Sequence, residues 1–280
     1  MNPEQLNKLL EFGLRSGASD VHLKAGCPPA FRINGRLQYL QAELLSPMAT
    51  RQICASLIVD PRVREGLDRL HELDTSYSIP GLGRFRVSIY RQRGTLSAIL
   101  RAIPNDVPNI EQLGLPPQVV RLANEERGLV LVTGPAGCGK STTLAAFVHH
   151  INHTRNAHVV TVEDPIEYLH RNAQASISQR EVGIDTESFQ AGLRTALRQD
   201  PDVVVVGELR DAEAVEVALR AVETGHAVFS AMHTPDVPRT VSRLLSLFPA
   251  TDELALRLRL ADCLKGVLSQ RLLPRADSAG

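Results

Sequence analysis

Apolar positions along the first hundred residues recur at two alternating periods. Leu6, Leu9, Leu10 and Leu14 return every three or four residues, which predicts one face of a helix ended by Gly17. Ser19–Lys24 then alternates polar and apolar, the signature of a half-buried strand. Ala30–Ile33 and Leu37–Leu40 flank Asn34-Gly35, the strongest two-residue hairpin signal. Helical periodicity returns over Pro47–Ile58 and Val63–Leu70, and two further strands follow at Arg84–Tyr90 and Thr95–Arg101. Residues 1–103 therefore read as an α+β domain. Pro104–Asn109 is rich in turn formers and opens a linker over 104–115.

The pattern changes after that linker. Pro116-Pro117 opens a short helix, and from Leu129 onward continuous apolar runs alternate with amphipathic stretches. The runs cover 129–133, 158–162, 202–206 and 226–231. Unbroken apolar strands are covered on both faces, which predicts a mostly parallel sheet in an α/β domain over 116–280. The expected fold class is thus α/β, an α+β N-terminal domain followed by a parallel-sheet domain. A chain of 280 residues is long for one core, in keeping with two domains.

Composition narrows the function classes. Lys plus Arg and Asp plus Glu number 31 each, aromatics are 4%, and Trp is absent. A nucleic-acid partner is not expected from such a balance, which lacks both a basic excess and a stacking platform. A nucleic-acid translocase would need a salt-sensitive, DNA-stimulated rate to return to consideration. Cys27, Cys54, Cys138 and Cys263 are scattered, with no C-x-x-C pair to suggest zinc. Neither a signal peptide nor an apolar stretch of bilayer length is visible, which predicts a cytoplasmic protein without a direct membrane span.

The most specific chemistry follows the run at 129–133. Gly134-Pro135-Ala136-Gly137-Cys138-Gly139-Lys140-Ser141-Thr142 fills every fixed position of G-x-x-x-x-G-K-[ST], between an expected strand and an expected helix. The glycines let backbone N–H groups turn inward around phosphate oxygens. Lys140 can reach the β- and γ-phosphates, and the Ser141 hydroxyl can sit on Mg²⁺. Binding of a nucleoside triphosphate is the expectation.

In open α/β sheets, ligands bind at the carboxyl ends of strands, so the residues after each run matter next. Glu163, Asp164 and Glu167 follow the second run, three carboxylates suited to Mg²⁺ coordination and activation of a water. Spacing does not choose between Glu163 and Glu167 as the catalytic group. Glu208 follows the third run and is assigned to the metal; Gly207 stands where many such ATPases place Asp. Asp211 reads as a helix cap. His233, after the fourth run, is placed to hydrogen-bond a γ-phosphate, whereas His226 at its start carries less weight. Upstream, Arg84, Arg86, Arg91, Arg93 and Arg101 lie on or near two strands, and their planar forks match phosphate oxygens.

Taken together, Gly134–Thr142, Thr161–Tyr168, Gln179–Val182, Asp202–Asp211 and Thr224–Thr234 resemble, in order and spacing, the ATPases of type II secretion and type IV pilus systems. There these stretches are the Walker A, Asp box, Walker B and His box motifs. Ala18–Leu23, Gly83–Val87 and Arg101–Pro104 are most similar to the PilT-type retraction branch. The resemblance implies a homo-hexameric ring of PAS-like and RecA-like domains that uses ATP and Mg²⁺. Its partner would be an inner-membrane pilus platform protein, met at the cytoplasmic face. It assigns Glu167 as the catalytic carboxylate, Glu208 as the Walker B residue, and His226 with His233 as the His-box pair. Arg86, Arg93 and Arg101 would approach the phosphates.

PilT-type proteins continue for several helices beyond the equivalent of Ser269–Pro274, including an Ala-Ile-Arg-Asn-Leu motif absent here. The tetracysteine motif of assembly ATPases would also begin past this point. The expectation is a truncated C-terminal region. An assembly or type II secretion ATPase, or an ATP-binding regulatory chain without turnover, stays open as an alternative.

Overall fold

The computed structural model describes residues 1–104 and 106–273; linker residue Asn105 and the 274–280 end of the expected truncated region lie outside the described residues. The chain divides into two compact units, Met1–Asn105 and Asp106–Gly280.

The first unit is built on a six-stranded antiparallel sheet in the order β3-β2-β1-β6-β5-β4. Its strands are β1 (Ala18–Lys24), β2 (Ala30–Ile33), β3 (Arg36–Tyr39), β4 (Glu72–Ile79), β5 (Gly83–Gln92) and β6 (Thr95–Ile103). One face is apolar because alternate residues point the same way: Val21, Leu23, Phe85, Val87, Ile89, Ala98 and Leu100 are all buried. Helices α1 (Pro3–Arg15) and α2 (Pro47–Leu57) close this face with Leu6, Leu10, Ile53, Cys54 and Leu57. Asn2 starts α1 through a capping box with Gln5, and Ser46 accepts from Ala49 N at 3.1 Å to start α2. The β2–β3 turn uses Asn34 and Gly35 at φ 50° and 76°, the left-handed pair such a hairpin needs.

The second unit holds a six-stranded sheet in the order β12-β7-β11-β10-β8-β9. The strands are β7 (Gly128–Thr133), β8 (His158–Glu163), β9 (Ser176–Glu181), β10 (Val203–Val206), β11 (Ala227–Met232) and β12 (Leu264–Ser269). Every pairing among them is parallel. One face, with Val130, Val132, Val205 and Phe229, packs on α4 (Gln118–Ala123) and α5 (Lys140–Thr154). Ile110, with Leu113 and Leu115, also packs here, so this stretch of the expected linker is covered by the second unit. The other face, with Leu129, Leu131, Val204 and Val228, packs under α6 (Phe189–Ala196), α7 (Ala212–Glu223), α8 (Val237–Ser246) and α9 (Glu253–Cys263).

Three strands go beyond the sequence expectation: β4, β9 and β12. Each is the last strand of its sheet. An edge strand needs little apolar surface, and Ser176-Ile177-Ser178-Gln179-Arg180-Glu181 shows why such a strand escapes a search for apolar runs. The expected helix over 63–70 is also shorter. A turn of α3 (Pro61–Glu65) stops at Gly66, and a 3-10 turn covers Leu67–Arg69.

Phe229 is fully buried and meets Phe147 edge-on, ring centroids 5.5 Å apart. Phe229→Ala is expected to cost about 3–5 kcal/mol, read as a lower denaturation midpoint for the second unit. A loss under about 1 kcal/mol would contradict this packing.

Candidate active site

The phosphate loop hangs between the end of β7 and the start of α5. Gly139, which precedes α5, has φ 92°, and Gly137 has φ 75°, a region that side chains with a Cβ rarely adopt. Ser188, Asp211 and Asp236 cap α6, α7 and α8 with their side chains, whereas the N-cap of α5 is Gly139 with no side-chain cap. The first N–H groups of α5, at the positive end of its dipole, are therefore presented to a ligand.

Lys140 is only 8% exposed. Its ammonium donates to the carbonyl oxygens of Gly134 at 3.0 Å and Pro135 at 2.9 Å, and to His233 Nδ1 at 3.2 Å. An ammonium has no lone pair, so Nδ1 accepts and the ring proton sits on Nε2. That nitrogen faces Glu208 Oε2 at 3.4 Å. Arg210 Nε donates to the same oxygen at 2.8 Å. Arg210, Glu208, His233 and Lys140 thus form one polar chain leading into the loop.

Strand ends hold that chain in place. Gly207 N donates to Val162 O at 2.8 Å, and Leu209 N donates to Ala231 O at 3.2 Å. Glu208 sits between these two anchors, one to β8 and one to the end of β11. His233 follows β11 directly. Nothing close to Gly207 demands a glycine, since a Cβ there would make ordinary contacts at 3.4–3.5 Å.

The acidic stretch after β8 is tied down from β9. Glu163 Oε1 accepts from Thr161 Oγ1 at 2.7 Å and from Gln179 Nε2 at 3.1 Å. The same Gln179 amide nitrogen donates to Tyr168 O at 2.8 Å, and its oxygen accepts from His170 N at 2.8 Å. Glu181 Oε2 accepts from Ile166 N at 3.0 Å. Tyr168 OH lies 3.0 Å from Thr142 Oγ1, joining this stretch to the first turn of α5. Burial pushes the Glu163 carboxyl above its ordinary 4.5, against the pull of the Thr161 and Gln179 hydrogen bonds. Burial also holds the His170 imidazole down at about 4.

The family model described as "Type II/IV secretion system protein" matches residues 3–280. The chain belongs to this family. The chain is 41% identical to the "Type IV pilus retractation ATPase PilT" of Pseudomonas aeruginosa, over 96% of this chain and 78% of that protein. It is 40% identical to a "Twitching motility protein" of Neisseria gonorrhoeae, over 91% of this chain and 68% of that one. A crystal structure of the pilus retraction motor PilT with bound ADP superposes with a TM-score of 0.89 at 43% identity, covering 96% of this chain and 79% of that one. The expected architecture, an α+β N-terminal domain and a RecA-like parallel-sheet domain, is the one this secretion-family chain has.

Its remaining candidate residues fall into two groups. Ser141 lies exposed in the first turn of α5, and Asp164 and Glu167 lie exposed beyond β8. Among the described residues no group of three or more His, Cys, Asp or Glu gathers as a metal cage. A single hydroxyl and a single carboxylate suit Mg²⁺ nonetheless, because it keeps several waters and takes phosphate oxygens. His226 lies elsewhere. It precedes Ala227, which pairs with Gly128 at the start of β7, whereas the loop follows Thr133 at the end. Roughly 20 Å of strand separates His226 from the loop of its own chain. Its Nδ1 lies 2.8 Å from Ala221 O and 3.1 Å from Thr224 Oγ1, at the foot of α7.

The arginines are likewise not one cluster. Arg86 and Arg101 are cross-strand partners, and Asp20, 4% exposed, accepts from Arg101 Nε at 2.8 Å. Arg93 occupies the β5–β6 turn at φ 49°, beyond the last strand pair Gln92–Thr95. That is roughly 20 Å along the hairpin from the Arg86–Arg101 pair. Sequence reasoning gave Arg210, Gln179 and Gln270 no role of their own, although the stretches Asp202–Asp211, Gln179–Val182 and Ser269–Pro274 contain them.

Between the ordinary carboxyl value and its raised native value, Glu163 keeps a proton in the fold that the unfolded chain has lost. Its contribution to stability is therefore present at low pH and falls as pH rises through the native value. Glu163→Gln should remove that decline, so the wild-type-minus-variant difference in denaturation midpoint shrinks as pH rises above the ordinary carboxyl value of 4.5. A difference independent of pH would contradict the buried carboxyl.

Proposed function

We propose that this chain is the ATP-hydrolysing subunit of a hexameric motor in a type IV pilus system, driving pilus retraction and twitching. The observation that carries the reading is the uncapped α5 N-terminus behind a left-handed glycine loop, with Lys140, Glu208 and His233 converging on it. Similarity over nearly the whole chain to a retraction ATPase, and to a PilT structure that holds ADP, supports it.

The loop N–H groups from Gly134 to Thr142 would cradle the phosphates, and Lys140 would leave its carbonyls to meet the β- and γ-phosphates. The Ser141 hydroxyl and Glu208 would hold Mg²⁺, whose charge offsets that of the phosphate oxygens. Glu167, exposed beyond β8, takes the role of orienting and deprotonating the attacking water. Glu163 is assigned a positioning role instead, because its Oε1 is engaged by Thr161 and Gln179 and its Oε2 accepts from Glu167 N at 3.5 Å. His233, which accepts from Lys140 and faces Glu208 Oε2 across 3.4 Å, is suited to register the γ-phosphate. Arg86 and Arg101 are the arginines we assign to phosphate charge. The N-terminal domain, a link over 104–115 and the RecA-like domain would form the working parts. A membrane-embedded pilus platform protein at the cytoplasmic face would be the partner.

Mg²⁺-dependent ATP hydrolysis by this chain across a wide concentration range, with light scattering on the same samples, tests the whole reading. Activity that rises with hexamer formation and disappears with chelator is the expected result; absence of nucleotide binding would overturn it. Lys140→Ala should lower turnover at least about 100-fold by removing phosphate charge stabilisation. Glu167→Gln should retain nucleotide binding but lose turnover by about 10²–10⁴-fold. Wild-type turnover in the Gln variant would move the base elsewhere.

A further inference from the structure

The phosphate loop is held from behind by a residue that the nucleotide chemistry does not use. Gln270 follows β12, the edge strand beside β7. Its backbone N donates to Thr133 O at 2.8 Å, at the last residue before the loop. Its side chain reaches past the loop to the first turn of α5. There the Thr143 hydroxyl donates to Gln270 Oε1 at 3.1 Å and accepts from Gln270 Nε2 at 2.9 Å. Thr143 is 1% exposed, so this pair of bonds satisfies a hydroxyl that has no access to water. The Gln270 carbonyl oxygen also lies against Gly134, close enough that a Cβ at that position would collide with it. Beside it, Thr133 Oγ1 and Ser269 Oγ are 2.8 Å apart.

The geometry points to Gln270 as a positioning residue that clasps both ends of the phosphate loop and sets its shape before nucleotide arrives. One residue bonds the strand end, crowds the first glycine and bonds the following helix. The loop's opening width is therefore tied to where β12 ends. Arg271, Leu272 and Leu273 leave this clasp as exposed chain, so displacement of that segment is transmitted to the loop. This inference rests on the phosphate-loop reading for its functional consequence, but the clasp itself does not need it.

The test uses the intact chain with two readouts: hydrogen exchange of loop amides without nucleotide, and the dissociation constant for ADP. Gln270→Ala and Thr143→Val should each speed exchange over residues 139–143 and weaken ADP binding about 5- to 30-fold, the range expected for losing one or two buried hydrogen bonds. The double variant should be no weaker than the worse single one, because both changes break the same pair of bonds. Gln270→Glu, whose carboxylate still accepts from Thr143 Oγ1, should recover part of the slow exchange over residues 139–143 that Gln270→Ala loses. Thr143→Val preserves shape and keeps the test valid if Gln270→Ala fails to fold. Wild-type loop exchange and affinity in a folded Thr143→Val, or additive losses in the double variant, would overturn the clasp. Faster loop exchange in a chain that binds no ADP even as wild type would uphold the clasp and sink the nucleotide reading instead.

Discussion

A lysine ammonium buried to 8% exposure governs the layout of the second unit. Such a charge is tolerated only where acceptors surround it, and here they come from three places in the chain. Gly134 and Pro135 supply carbonyls, and His233 supplies a ring nitrogen. Those acceptors fix the His233 tautomer, which turns Nε2–H toward Glu208, whose other partner is Arg210. A phosphate offers a stronger, charge-assisted acceptor, and trading the carbonyls for it would loosen the hold on His233 and hence on Glu208. The buried cation thus ties the loop to the ends of β10 and β11 through His233 and Glu208.

That linkage depends on parallel register. Because β7, β8, β10 and β11 run the same way and pair without slippage, their carboxyl ends lie at one edge of the sheet. The loop, Glu163, Glu208 and His233 follow these four ends, and the same geometry removes His226 to the opposite edge. Two outer strands then brace the edge from either side: β9 through Gln179 and Glu181, and β12 through Gln270. The first unit uses the other arrangement, an antiparallel sheet with helices on one face. Its alternating pattern leaves Arg86 and Arg101 together on the opposite face, with buried Asp20 holding Arg101.

Much of this was legible in order. The apolar runs marked the central strands of the parallel sheet, because a strand covered on both faces has no polar position to disguise it. Asn34-Gly35 marked its hairpin, because few other residue pairs adopt two successive left-handed conformations. The glycine–lysine loop marked itself, because backbone approach to phosphate tolerates few residue types. β4, β9 and β12 were not legible, since an edge strand is half solvated and its composition resembles a loop. The helix over 63–70 was misjudged in length because Gly66 breaks a periodicity that continues on either side of it.

What the sequence alone determined, then, is local: which stretches bury two faces, which turns need a left-handed residue, and which loop offers its N–H groups. Distance between remote residues was decided by the tertiary structure. Only the six residues of β11 separate His226 from His233, yet a strand's rise of about 3.3 Å per residue sends them to opposite edges of the sheet. Gln270, far from the loop in sequence, lies against it because β12 pairs with β7. Spacing along a chain reports one element at a time; only the pairing of elements brings their ends together, and the chemistry resides at those ends.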